Sequence, residues 1–171
     1  RKEGGEVRGR EPYARVLGYA AANEAQNLRK VDTSGATVTR AIEAALKQAR
    51  LAATDIDYVC AHGNSMPDYD LAETAGIKAA FGRHAWNVPI SSIKSMCGQA
   101  LAASSAMQVV AACLALRDGV IPPTINYQYP DPRCDLDYVP NHCRRARVRT
   151  VLLHTHSLGG SHLALILGRE D

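Results

Sequence analysis

The sequence predicts a three-layer α/β domain with about five strands. Three observations carry that expectation. Short β-type runs alternate with helical periodicity, two strand-like runs near the end are split by Gly159-Gly160, and 22 residues from Ser95 to Leu116 hold no charge.

The elements follow in order. Residues 13–20 (YARVLGYA) and 56–61 (IDYVCA) read as strands, and between them apolar Val38, Ile42, Ala45, Leu46 and Ala49 form a helical stripe after a Thr/Ser start. Strand, helix, strand implies a parallel pair. A second helix runs from Asp70 to Phe81 and stops at Gly82, VPIS (88–91) is a short strand, and a third helix extends to about Arg117. The runs RTVLLHTHS and SHLALILG must be antiparallel neighbours, because so short a connection cannot cross over. From 118 to 148 lies a segment with five of the eight prolines, long enough to be functional or to pack over a neighbouring surface.

The uncharged stretch constrains the architecture most. No turn of such a helix shows a solvent face, so it calls for cover on both sides, and a five-stranded sheet supplies only one. A membrane span is disfavoured by Ser95, Gln99, Ser104, Ser105 and Gln108. The chain therefore lacks half of its own sandwich.

Composition excludes some functions. With 171 residues, 46% hydrophobic and 22% charged, the chain is long enough for one domain with a real core. A net charge of +3 is too mild, and aromatics at 5% too few, to point to nucleic acid. Arg144, Arg145, Arg147 and Arg149 read as a solvated edge. The five cysteines are odd in number and form no CxxC pair, which fits a reducing, cytoplasmic compartment. Residues 1–12 are charged and Gly-rich, hold no apolar run of the signal-peptide kind, and read as a frayed or linker segment ahead of a domain over 13–171.

His62 opens the candidate site. It stands where a strand ends and a Gly/Asn/Pro loop begins, and Tyr58, Val59, Cys60 and Ala61 give its imidazole no polar partner. The stretch AHGNSMPDYDLAE resembles the AHGTSTPxxDxAE loop of the β-ketoacyl-acyl carrier protein synthases (ketosynthases). SSIKSMCGQALAASSA resembles their SSxKSxxGHxxGAAGA segment, and IPPTINYQYPDPRCDLDYVP follows their PPTxNxxxPDxxCDLDxVP loop. Order and spacing agree from about Arg15 to Gly168.

The resemblance implies a thiolase-like fold, of which this chain is the C-terminal one of two duplicated halves, with the uncharged helix in the central layer. It also implies decarboxylative Claisen condensation. A cysteine in the N-terminal half carries an acyl chain, malonyl carrier protein loses carbon dioxide, and the enolate attacks the acyl thioester. His62 matches the first donor to the developing enolate oxygen. Gln99 stands where the family has its second histidine; an amide donates a hydrogen bond but exchanges no proton near neutral pH. Lys94 and Glu73 match a buried pair that holds the first histidine.

Asn64 and Met66 replace two threonines that contact the phosphopantetheine arm, and Met66 cannot donate. HTHSLGGS stands for NSFGFGGT, which puts Leu158 at the gating phenylalanine beside Gly159 and Gly160. His154 and His156 share a strand face, too few ligands for a metal site. Cys97, near a helix start, is a packing residue rather than the nucleophile. No cofactor is implied beyond the phosphopantetheine arm of the acyl carrier protein. The implied partners are that carrier, the N-terminal half and a second subunit in a homo- or heterodimer. A non-catalytic partner subunit, of the chain-length-factor type, is the alternative function, and a remnant kept only for dimerisation is a third.

Overall fold

The computed structural model describes residues 12–26 and 30–169, so nearly all of the expected frayed segment lies outside the described residues. Its centre is a five-stranded mixed sheet in the order β1 (Arg15–Asn23), β7 (Ser161–Gly168), β6 (Thr150–Ser157), β2 (Tyr58–Cys60), β3 (Ile90–Ser91). The β6–β7 hairpin is antiparallel, pairing Ser157 with Ser161 at its tip, as the two-glycine connection requires.

One pairing differs from expectation. The strand–helix–strand run at the start does not make neighbours: β1 pairs antiparallel with β7, and β2 lies parallel between β6 and β3. β1 and β2 do run in the same direction, but β7 and β6 sit between them. The hairpin formed by the last strands inserts there, a non-local event that periodicity near β1 does not encode.

Helices α1 (Ala36–Ala49) and α2 (Pro67–Phe81) cover one face of the sheet. In α1 the predicted stripe is the buried one, with Val38, Ile42 and Leu46 packed against Val59, Leu152 and Ile166. The second helix starts three residues earlier than expected, because Pro67 fits a first helical turn, which needs no N–H there, and Asp68 and Asp70 favour its positive end. Gly76 lets α2 meet the start of α1: a Cβ there would lie 2.4 Å from the Val38 Cβ.

The opposite face carries the uncharged stretch, which is not one helix. A short α3 (Lys94–Cys97) ends at Gly98, whose φ of 77° stops it; α4 (Ser104–Asp118) begins six residues further on. Ala112, Ala115 and Leu116 of α4 pack on Tyr58, Val151 and Leu153. Among the described residues nothing covers its other face. Val110 is 59% exposed and Leu114 40%, and with Ile93, Met96 and Met107 they line an apolar cleft of about 450 Å³. The stretch Leu101–Asp118 has the length and composition of a membrane span, but one side of it packs into the domain core.

The proline-rich segment is not plain loop. Within it β4 (Val120–Ile121) pairs antiparallel with β5 (Arg144–Arg145), and a bridge joins Thr124 to Pro140.

Candidate active site

His62 leaves the end of β2 and is 3% exposed. Its main chain is held from both sides by charge. Glu73, on the inward face of α2, accepts the His62 N–H at 2.7 Å and the Gly63 N–H at 2.9 Å, while the Lys94 ammonium donates to the His62 carbonyl at 2.6 Å. Both charged groups are buried, and they meet through the His62 peptide. The Ser92 hydroxyl closes the turn by donating to the Gly63 carbonyl at 2.7 Å. Gly63 fits because its φ is 36° and a Cβ would come within 2.7 Å of the Ser92 Cβ.

Gln108 lies beneath this turn, a place its sequence role as a polar residue against a membrane span does not give. Its amide nitrogen donates toward three carbonyls, of Cys60, Ala61 and His154, at 2.9–3.2 Å, and its oxygen accepts from Lys94 at 3.4 Å. A glutamine inside the uncharged stretch was the available signal, and it is 1% exposed.

The His62 ring is oriented by the end of β6. The main-chain N–H of His156 donates to His62 Nδ1 at 3.3 Å, so that nitrogen carries a lone pair and the proton resides on Nε2. The His156 ring stacks on it with centroids 4.2 Å apart, and Tyr69 stacks on the far side of His156 at 4.1 Å. Burial drives His62 down to about 4, opposed by Glu73 and helped by Lys94. The ring is neutral near pH 7 and can donate from Nε2.

A second line of histidines runs beside the first. Glu24, just after β1, takes His162 Nε2 at 2.8 Å; His162 Nδ1 meets His154 Nε2 at 3.2 Å; His154 Nδ1 meets Glu73 Oε1 at 2.5 Å. These contacts join the two carboxylates through a pair of imidazoles with ring centroids 5.4 Å apart. Among the described residues no group of three or more His, Cys, Asp or Glu side chains is arranged to hold a metal ion.

The remaining predicted residues sit around this centre. Gln99 is exposed on the irregular stretch between α3 and α4, and its Oε1 accepts from the Ser104 hydroxyl at 3.0 Å. Asn64 spends its Oδ1 on the Met66 N–H at 3.1 Å, and Met66 is 47% exposed. Leu158 is 68% exposed at the hairpin tip, where Gly159 and Gly160 take positive φ. Cys97 lies at the C-terminal end of α3, not at a helix start, exposed on the rim of the apolar cleft. Behind the His62 loop is a cavity of about 600 Å³, walled by Asp70, Thr74, Ser95 and, from the proline-rich segment, Tyr127 and Tyr138. Asp70 is pushed up to about 6 there by burial and by Glu73.

A buried neutral imidazole beside a lysine–carboxylate frame, on a domain whose central helix is uncovered, is the arrangement the sequence motifs imply. The β-ketoacyl synthase C-terminal domain matches residues 13–128. This chain belongs to the β-ketoacyl synthase family. It is 45% identical over 162 residues to the tetracenomycin polyketide synthase ketoacyl synthase alpha subunit of Streptomyces glaucescens, covering 95% of this chain and 38% of that protein. The chain thus spans about two fifths of the length of the curated relatives it matches. Two solved structures superpose closely. A type II polyketide synthase acyl-carrier protein in complex with its ketosynthase bound to the hexaketide gives a TM-score of 0.93 at 39% identity, over 96% of this chain and 40% of that one. The ishigamide ketosynthase/chain length factor gives 0.90 at 35%, over 96% and 40%. The thiolase-like fold and the place of this chain as a C-terminal ketosynthase fragment follow.

Proposed function

We propose that the chain supplies the decarboxylation half of a β-ketoacyl-acyl carrier protein synthase site acting on carrier-bound polyketide or fatty acyl chains. The observation that carries this reading is the buried, neutral His62 with its proton on Nε2. When the bond between the malonyl α-carbon and its carboxylate breaks, carbon dioxide leaves and the electron pair moves into the thioester carbonyl. An Nε2–H donor at that oxygen stabilises the enolate without having to give up its proton. The enolate carbon then attacks the acyl thioester on a cysteine from the N-terminal half, and the cysteine thiolate departs. Lys94 and Glu73 fix the His62 backbone, so the donor is positioned before substrate arrives.

The N-terminal half is also the occupant of the apolar face on α4, and the acyl carrier protein brings malonyl and acyl groups on its phosphopantetheine arm. Asn64 Nδ2 is the donor this loop retains for the arm. In the complete protein, His62→Ala lowers malonyl decarboxylation by about a hundredfold, while loading of the upstream cysteine persists. Decarboxylation left intact would remove the enzyme reading.

The second reading is a chain-length-factor type partner subunit, favoured by the exposed position of Gln99 and its bond to Ser104. The residue at the nucleophile position upstream separates the two: cysteine supports the enzyme, an inert side chain the partner.

A further inference from the structure

His156 stands apart from every other polar group in the site. Among the described residues, its Nε2 is the buried side-chain nitrogen or oxygen left without a hydrogen-bond partner. The residue is 9% exposed, its ring lies nearly parallel to that of His62, tilted by 23°, and Tyr69 clamps it from the other side. Stacking alone would be met as well by an aromatic ring with no nitrogen. An imidazole held this way retains an unused N–H or lone pair beside the proposed enolate donor, and burying that group unsatisfied is unfavourable unless something arrives to meet it.

We propose that His156 is the second hydrogen-bond donor to the thioester oxygen, taking the place that the sequence alone assigns to Gln99. The inference rests on the ketosynthase reading above and deepens it. His62 Nδ1 is engaged by the His156 main chain, so one residue both orients the first donor and supplies the second. As the carbon–carbon bond to the leaving carboxylate breaks, the negative charge that gathers on the thioester oxygen meets two N–H groups, one from each stacked ring, and neither ring transfers a proton. Burial and the neighbouring His62 hold His156 neutral, down to about 2, so the ring carries a single proton, which the proposal puts on Nε2. Gln99 is left with a structural bond to Ser104.

The test uses the complete protein and malonyl-acyl carrier protein, with carbon dioxide release and acyl loading measured separately. His156→Phe keeps the stack between His62 and Tyr69 and removes Nε2. Decarboxylation is expected to fall by about a hundredfold in kcat with little change in KM, since the lost contact is made in the transition state. His156→Gln, which carries an amide nitrogen near the position of Nε2, is expected to recover part of that loss. Gln99→Ala is expected to change the rate little. If His62→Ala abolishes decarboxylation and His156→Phe does not, His156 is a stacking residue whose Nε2 is met by the N-terminal half, and this inference fails while the ketosynthase reading stands. If His62→Ala is also without effect, the ketosynthase reading itself fails.

Discussion

His154 and His156 are two residues apart on β6 and project to the same face of the sheet, yet they live in opposite conditions. The His154 ring is fully enclosed and both its nitrogens are engaged, one by Glu73 and one by His162. The His156 ring is gripped through its faces and has a buried nitrogen with no partner. A satisfied buried polar group is part of the scaffold, whereas an unsatisfied one beside a candidate site is a group held ready. The same side chain is thus fully paired at one position and unpaired at the other.

Substitutions divide the two. His154→Leu leaves the Glu73–Glu24 line without its centre, stranding His162 Nδ1 and weakening the anchor of the His62 loop. We expect a stability loss of about 3 kcal/mol by denaturant unfolding of the complete protein. His156→Phe is expected to shift stability by less than about 0.5 kcal/mol, because it removes a buried nitrogen that nothing satisfies. Equal losses at both positions would erase the contrast.

Acid exposes the second, smaller difference. Burial holds His62 at about 4 and His156 at about 2, both below the ordinary 6.5. As pH falls below 6.5 the unfolded chain takes up protons at these positions and the folded chain does not. Their contribution to stability is therefore full above pH 6.5 and is lost progressively below it, down to about 4 for His62 and about 2 for His156. Glu73, held below its ordinary 4.5 against the opposing effect of burial, mainly by His154, adds a further loss as the pH falls below 4.5. His156→Phe should flatten the decline of the melting temperature between neutral and mildly acid pH. An unchanged slope would mean that His156 titrates normally.

Much of this was legible in the sequence, and the parts that were not share a cause. The α1 stripe, the β6–β7 hairpin and the uncovered face of the uncharged stretch follow from local pattern, since each depends on residues near one another in the chain. The sheet order does not, because β1 finds its partner in β7, some 140 residues later. The site divides in the same way. His62, Glu73 and Lys94 announce themselves by motif, and the structure gathers them at one peptide. Glu24 joins the histidine line across 138 residues, and Gln108 hides in an apolar run. That His154 and His156 share a strand face was visible as a pattern, but their separate roles depend on which ring meets a carboxylate, which only the packed structure specifies. Gln99 shows the converse: its position in the motif points to the site, while the break at Gly98 leaves it exposed.

Nitrogen-15 NMR of the selectively labelled complete protein reads directly whether His62 is a neutral donor with its proton on Nε2. The two ring nitrogens should show a protonated Nε2 and an unprotonated Nδ1, unchanged from about pH 8 to about pH 5. An imidazolium signature appearing near pH 6.5, or a proton found on Nδ1, would contradict the account.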